Sequence, residues 1–330
     1  MVPLVSVIIT VYNSSKTIKE CIEAILESDY PRKEVIVIDD GSEDDSAGIV
    51  SSFRDVKLFR KKNKGSGSAK NYGAKHARGD YFYFLDSDVI VLKETVSMLV
   101  QTALSYNVDM IVGRHSTKPM NNSIVHHYKA LVDYVLYIPK KYHNKVIING
   151  QIGGGGDLYS KKSFNKLGGF NEKYSGASVE REELYIRLYK AGYNSAANPM
   201  IKTYHYFPSF RRMLKNYVNR IYETVKLLDK TPFNFTYISL EKAVIAPSFS
   251  FLLLISAAST SLHYTNLLLP AFCGIIFLVL NREFIFEGIK RKGILMISSM
   301  VAVHYFISLV IFLSIAISIC VVKIRKVVIK

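Results

Sequence analysis

The chain has 330 residues, 49% of them hydrophobic, three cysteines and a formal net charge of +16. Its mean hydropathy of +0.15, with nearly all charge before about residue 242, excludes a uniformly soluble composition, and the distant cysteines exclude a disulfide scaffold or a thiolate metal site. The positive balance asks for an anionic partner. Because the cations gather beside apolar segments and not on an aromatic sheet face, lipid headgroups or a polyanionic substrate fit better than nucleic acid.

The first elements alternate. Val5–Val11 is a continuous β-branched run suited to a strand buried on both faces. Ile18, Cys21, Ile22, Ile25 and Leu26 have helical spacing before Tyr30-Pro31. Glu34–Ile38 is a second strand, running into Asp39-Asp40-Gly41-Ser42. A helix over Ser46–Phe53, a short strand Val56–Phe59, a basic Gly/Ser loop Lys61–Ser68 and a helix Ala69–Ala77 follow. Tyr81–Leu85 is the fourth strand. This alternation predicts an α/β fold with a doubly wound, mostly parallel sheet. The chain opens on a strand-like run with no basic segment and cleavage site, so a secretory signal is not expected and the first domain is expected in the cytoplasm, with Cys21, Cys273 and Cys320 as reduced thiols.

The fourth strand ends in Asp86-Ser87-Asp88. Ligands of open α/β sheets bind outside the carboxyl ends of strands. Two carboxylates there suit Mg²⁺ or Mn²⁺ holding a diphosphate, although Asp and Ser also cap helices. Thr10, Tyr12 and Asp39 fall at the ends of earlier strands. A carboxylate there can accept from a base edge and a tyrosine can stack on a base, so the rim suits a nucleotide. The Gly65-Ser-Gly67 loop has the spacing of neither the dinucleotide fingerprint nor the P-loop.

Four stretches together carry a resemblance: Val5-Ser-Val-Ile-Ile-Thr-Val-Tyr-Asn13, Val35-Ile-Val-Ile-Asp-Asp-Gly-Ser42, Ala69-Lys-Asn-Tyr-Gly73 and Gly79-Asp-Tyr-Phe-Tyr-Phe-Leu-Asp-Ser-Asp88, continued by Gly168-Gly-Phe-Asn-Glu172 and Glu180–Gly192. Over about residues 4–210 the chain resembles the family 2 glycosyltransferases of GT-A fold. The resemblance implies inverting transfer from a nucleotide-diphosphate sugar with a divalent cation, Mn²⁺ or Mg²⁺. It implies that Thr10, Tyr12 and Asp39 hold the base, that Lys70 stands near the nucleotide, that Asp86 contacts ribose or donor, and that Asp88 binds the metal. His205, in Tyr204-His205-Tyr206, is by the same resemblance a further metal or diphosphate contact.

Met110–Gly113 reads as another strand, and Gly153–Gly156 as a close approach of backbone to a ligand or as a hinge. Glu180-Arg181-Glu182-Glu183 opens a helix. By resemblance a catalytic Asp belongs where this chain has Arg181. Either Glu180 or Glu182 then takes the acceptor proton, or the acceptor is an already ionised phosphate that Arg181 helps to bind.

Phe210–Leu228 mixes Arg211, Arg212, Lys215, Arg220 and Lys226 with apolar residues, as in a helix lying on an anionic lipid surface, with Arg211 and Arg212 toward phosphates. Apolar segments at about 243–262, 264–280 and 294–322 predict two or three membrane segments, with Asn281–Gly293 as a basic cytoplasmic linker. A single last span would place the terminal cations outside, against the positive-inside rule. The expected organisation is a catalytic domain over 1–208, an amphipathic region over 209–242 and a multi-pass anchor over 243–330 at the cell membrane. The expected acceptor is membrane-associated: a polyprenyl phosphate, a lipid-linked glycan or a growing polysaccharide. A catalytically inactive sugar-nucleotide-binding scaffold is the rival. A phosphoryl-accepting receiver would also use an Asp pair, but leaves the apolar segments unexplained.

Overall fold

The computed structural model describes residues 2–137, 142–150, 154–174, 179–231, 245–263 and 268–328. The chain divides into two compact units, one of residues 1–121 and 138–207, the other of 122–137 and 208–330.

In the first unit β1 (Val5–Val11), α1 (Ile18–Leu26), β2 (Lys33–Asp39), α2 (Ser46–Ser51), β3 (Val56–Arg60), α3 (Ser66–His76) and β4 (Tyr81–Asp86) alternate as the hydrophobic pattern predicts. β3, β2, β1 and β4 lie side by side and parallel. Beyond β4 the sheet is mixed. After β5 (Val89–Val91), α4 (Thr95–Tyr106), β6 (Met110–His115), α5 (Ile124–Tyr137), β7 (Ile147–Ile148), β8 (Asp157–Ser160), α6 (Lys161–Lys166), α7 (Glu180–Lys190) and β9 (Ser195–His205), the strand order reads β3-β2-β1-β4-β8-β6-β9-β5. β8 runs antiparallel to both β4 and β6, and β9 runs parallel to β6 but antiparallel to β5 and β7. The parallel expectation thus holds for the four strands joined by helical crossovers and stops where they end.

Both faces of the sheet are covered, which is why its central strands are apolar throughout. Val7, Ile9, Val37 and Leu85 pack with Ile18, Cys21, Ile22 and Ile25 of α1 and with Val96, Leu99 and Val100 of α4. On the other face Phe82 and Phe84 meet Phe164 and Phe170, with ring centroids 5.0 to 5.6 Å apart. Each such side chain contributes about 1.5–3 kcal/mol on burial.

The glycine run supports protein contacts. Gly155 and Gly156 have φ of +84° and +85°. A Cβ on Gly155 would stand 2.7 Å from the Thr203 hydroxyl, and one on Gly156 2.7 Å from both the Phe84 carbonyl and the Tyr83 ring. The Tyr83 hydroxyl donates to the Gly155 carbonyl at 2.6 Å. The close approach expected there is to the protein's own side chains; Gly153 lies outside the described residues.

The second unit is helical: α5, α8 (Phe210–Lys230), α9 (Ala246–His263), α10 (Leu268–Leu280), α11 (Arg282–Lys292) and α12 (Ile294–Val328). Tyr128, Leu131, Val132 and Val135 of α5 cluster with Met213, Phe284, Ile297, Met300 and Ile307. A polar network runs through this core: the His304 ring accepts from the Tyr128 hydroxyl at 3.0 Å and donates to the Asn281 amide oxygen at 2.7 Å. α8 has the expected amphipathic character, but Met213, Leu214 and Tyr217 pack into the helical cluster, so much of its apolar side has a protein partner. Residues 232–244 and 264–267, within the expected juxtamembrane and membrane segments, lie outside the described residues.

Among the described residues one helix, over Ile294–Ile324, is by itself long and apolar enough to cross a membrane. The multi-pass expectation is not met by the others. The apolar stretch Ala246–Thr260 is shorter, and α10 reaches span length only with α11, across a 65° bend. Asn281–Gly293, read from the sequence as a linker, contains α11, whose Arg282, Glu283, Glu287, Lys290, Arg291 and Lys292 deny it an apolar span.

Candidate active site

The sheet brings three predicted positions to one rim. Thr10 shares a rung with Asp86 on β4, and Val11 shares the next rung with Asp39 on β2. Register partners leave a strand on the same side and successive rungs alternate, so Asp86 and Asp39 leave opposite sides of the pleat at the same edge. Tyr12, one residue past β1, is 43% exposed, free to stack on a flat ligand. Asp39 is fully buried: it accepts from the Ser42 amide at 2.9 Å and from Arg60 Nε at 2.8 Å. Arg60, at the end of β3, was not singled out from the sequence; its side chain is 60% exposed and carries the positive end of this pair to solvent.

Asp86 lies in a charged network. Lys70, buried at the start of α3, stands 3.2 Å from the Asp86 carboxylate and 3.8 Å from Glu180 at the start of α7. The Lys70 ammonium beside it holds the Asp86 carboxyl below the usual carboxylate range. Burial works against the Lys70 charge, but Asp86 and Glu180 outweigh it and keep the amine firmly protonated. Phe170 adds its ring face, 5.7 Å from the Lys70 nitrogen.

Arg181 forks onto Asp157, Nε to Oδ2 at 2.6 Å with Nη2 to Oδ1 alongside. Burial disfavours its charge, Asp157 outweighs burial, and the neighbouring Glu182 adds to the effect. The Arg181 expected to face an acceptor is therefore anchored to a strand carboxylate. Asp157 was missed by sequence reasoning. Its signal is a carboxylate opening the apolar strand β8, since a buried charge needs a partner. Glu182 is half-buried one residue further along α7, while Arg211 and Arg212 are exposed at the start of α8 in the other unit.

Asp88 lies just beyond the strand. Its carboxylate, 40% exposed, is 3.3 Å from His205 Nε2, and its carbonyl accepts from the Tyr206 amide at 2.9 Å. The Ser87 hydroxyl donates to that of Ser14 at 2.9 Å, tying this turn to the loop after β1. An exposed carboxylate and an imidazole nitrogen facing each other are a chemically suitable pair of donors for Mn²⁺ or Mg²⁺. Among the described residues no group of three His, Cys, Asp or Glu side chains stands together as a cation site, so further ligands would come from a bound diphosphate or water. His205 Nδ1 is buried without a hydrogen-bond partner, so the supporting acceptor usual behind a metal-bound histidine is missing.

Residues 6–168 match the family model described as Glycosyl transferase family 2. The chain carries a family 2 glycosyltransferase domain. Over 120 residues, 35% of this chain and 40% of the relative, it is 36% identical to glycosyltransferase GlyG of Streptococcus pneumoniae serotype 4. The first curated relatives are matched over only 27% to 40% of their own length. Among solved structures, mannosyltransferase PcManGT from Pyrobaculum calidifontis, in complex with GDP-Man and Mn²⁺, superposes with a TM-score of 0.57 at 17% identity, covering 96% of this chain and 86% of that one. Residues 1–349 of Staphylococcus aureus TarS, in complex with UDP, give 0.51 at 19%, covering 86% and 80%. At these identities the likeness concerns the fold, and the glycosyltransferase domain shares the GT-A architecture with both.

Proposed function

We propose that the chain is an inverting glycosyltransferase using a nucleotide-diphosphate sugar and a divalent cation, attached to the cell membrane through α12 with its catalytic domain on the cytoplasmic side. The carrying observation is the Asp86-Ser87-Asp88 turn at the carboxyl rim of a family 2 domain, with Lys70 and His205 against its two carboxylates. In this reading Tyr12 stacks on the base, Thr10 and the Asp39–Arg60 pair flank it, and Asp86 with Lys70 orients ribose and donor. Asp88 and His205 would hold the cation. When bound, that cation supplies positive charge to the leaving diphosphate. The named relatives that bind GDP-Man with Mn²⁺, or UDP, support a donor of this class.

The acceptor oxygen attacks the anomeric carbon opposite the diphosphate. The bond to the diphosphate oxygen breaks and its electron pair leaves with the nucleoside diphosphate. For a hydroxyl acceptor, Glu180, with Glu182 beside it, takes the proton; an ionised phosphate acceptor brings no proton and meets Arg181. The acceptor is a membrane lipid phosphate, a lipid-linked glycan or a polysaccharide chain, and the basic helices Phe210–Lys230 and Arg282–Lys292 suit an anionic lipid surface. The rival reading, an inactive sugar-nucleotide-binding scaffold, draws on the Arg181–Asp157 pair, which sets a cation where family resemblance expects a base.

The test is transfer of radiolabelled sugar by membranes containing the full chain, across UDP-, GDP- and dTDP-sugars with Mn²⁺ or Mg²⁺. Asp88→Asn is expected to lower cation-dependent transfer at least about 100-fold, the scale of removing one pre-organised electrostatic contact. Undiminished transfer by Asp88→Asn rejects the site; donor binding without transfer by the parent chain selects the scaffold.

A further inference from the structure

Outside the donor rim, the first unit contains a second pocket, of about 370 Å³, lined by Lys61, Lys62, Lys64, Tyr72, Lys75 and Glu172. It shares no lining residue with Thr10, Tyr12, Asp39, Lys70, Asp86, Asp88 or His205. The element that separates the two sites is α3. Lys70 points from it into the Asp86 network, whereas Ser68, Tyr72 and Lys75, spaced by four and three residues, line the pocket along another side. Tyr72 is held there by edge contacts with Phe59 and His76.

The walls are fixed while most of the charges are not neutralised. Asp40 accepts from the Lys61 ammonium, from the Lys64 amide at 3.2 Å and from the Gly65 amide at 2.8 Å, which shapes the loop. Asn71 donates to Glu172 at 2.9 Å and to the Phe170 carbonyl at 2.9 Å, which fixes the opposite wall. The Glu172 carboxyl is held below its ordinary range by the Asn71 bond first, and by Lys75 and Lys61 among the further causes, as expected in a positive field. Lys62, Lys64 and Lys75 form no ion pair among the described residues. Three uncompensated ammoniums around a concave wall attract anions, and as compact rotating donors they suit the tetrahedral oxygens of phosphate better than a planar carboxylate. The volume falls in the range of small-molecule pockets.

The geometry points to a second anion site, separate from the donor crevice, that takes the phosphate or diphosphate group of a small phosphorylated molecule on Lys62, Lys64 and Lys75. The Ser68 hydroxyl and the Glu172 carboxylate beside it suit a hydroxyl carried by the same ligand.

Titration calorimetry of the full chain in detergent, with inorganic pyrophosphate as the probe and EDTA present so that no cation bridges, tests this. The expected result is a single site, weakened about tenfold or more when Lys62→Ala, Lys64→Ala and Lys75→Ala are combined, the scale of losing one charge-assisted hydrogen bond. Glu172→Gln keeps the Asn71 bond, removes the repelling charge and should tighten binding, a gain that misfolding cannot imitate. Asp88→Asn should leave the affinity unchanged. Parent-like binding by the triple variant, absence of binding by the parent, or an Asp88→Asn effect as large as that of the triple variant would each overturn the second site.

Discussion

At the scale of single residues, the rim works through charges that cannot stand alone. Lys70 is buried between Asp86 and Glu180, and Glu180 is itself almost fully buried. Removing one partner of a buried pair leaves the other uncompensated, at a cost of about 3–5 kcal/mol. Because Asp86 is half exposed, Lys70→Met should lower stability by about 3 kcal/mol, the low end of that range, seen as a drop in thermal midpoint. A neutral outcome would mean that Glu180 takes up a proton in place of its partner. Glu34 gives a pH-dependent counterpart. Burial would raise its pKa, but the Ser6 hydroxyl, the Arg78 amide and Lys57 bring it down to about 2. Its folded value lies below its unfolded value. The stability it contributes is therefore present above about pH 4.5 and is lost as pH falls toward 2. With a side chain only 10% exposed, the contribution is on the order of 2–3 kcal/mol. In Glu34→Gln the gap in thermal midpoint between pH 7 and pH 3 should narrow accordingly; an unaltered gap would assign the acid limb to other carboxylates.

At the scale of elements, the glycine turn before β8 shapes the floor beneath the site. In Gly156→Ala the new Cβ meets the Phe84 carbonyl and the Tyr83 ring in a left-handed backbone conformation. Backbone and a fully buried ring cannot yield cheaply, so a loss of about 2–4 kcal/mol is expected, together with weaker donor binding. Unchanged thermal stability would show that β4 and β8 can move apart. This turn also marks where the strands stop being legible in the sequence, although the helices α7 and α8 beyond it are legible. β1, β2 and β4 announce themselves because a strand covered on both faces must be apolar throughout, and the Asp clusters follow directly at their ends. β9 does not, since it pairs with three different strands and its residues Asn198, Lys202 and Thr203 break any simple pattern. The Arg181–Asp157 and Arg60–Asp39 pairs were hidden for a related reason. Each joins residues far apart in the chain, 24 and 21 positions, and becomes visible only once the sheet sets neighbouring elements side by side.

At the scale of the whole molecule, the chain does not pass cleanly from a catalytic half to a helical half. α5 leaves the first unit after β6, joins the helical unit, and the chain then returns to supply β7, β8 and β9. Its Tyr128, Leu131, Val132 and Val135 are buried against residues of α8, α11 and α12. A chain ended at Phe207 therefore retains every strand of the sheet but loses everything that covers this apolar face. Each uncovered side chain forfeits about 1.5–3 kcal/mol of burial, and a contiguous exposed patch promotes association. The 1–207 chain should elute as aggregate in size-exclusion chromatography with light scattering. Combining Leu131→Gln, Val132→Gln and Val135→Gln in that chain should restore a monomer, because the strands, the Asp86 network and the lysine pocket all belong to the unit that remains. A monomeric 1–207 chain without those changes would refute this assignment, since α5 would then have found other cover. Aggregation that persists with them would place the dependence on the helical unit elsewhere than on α5.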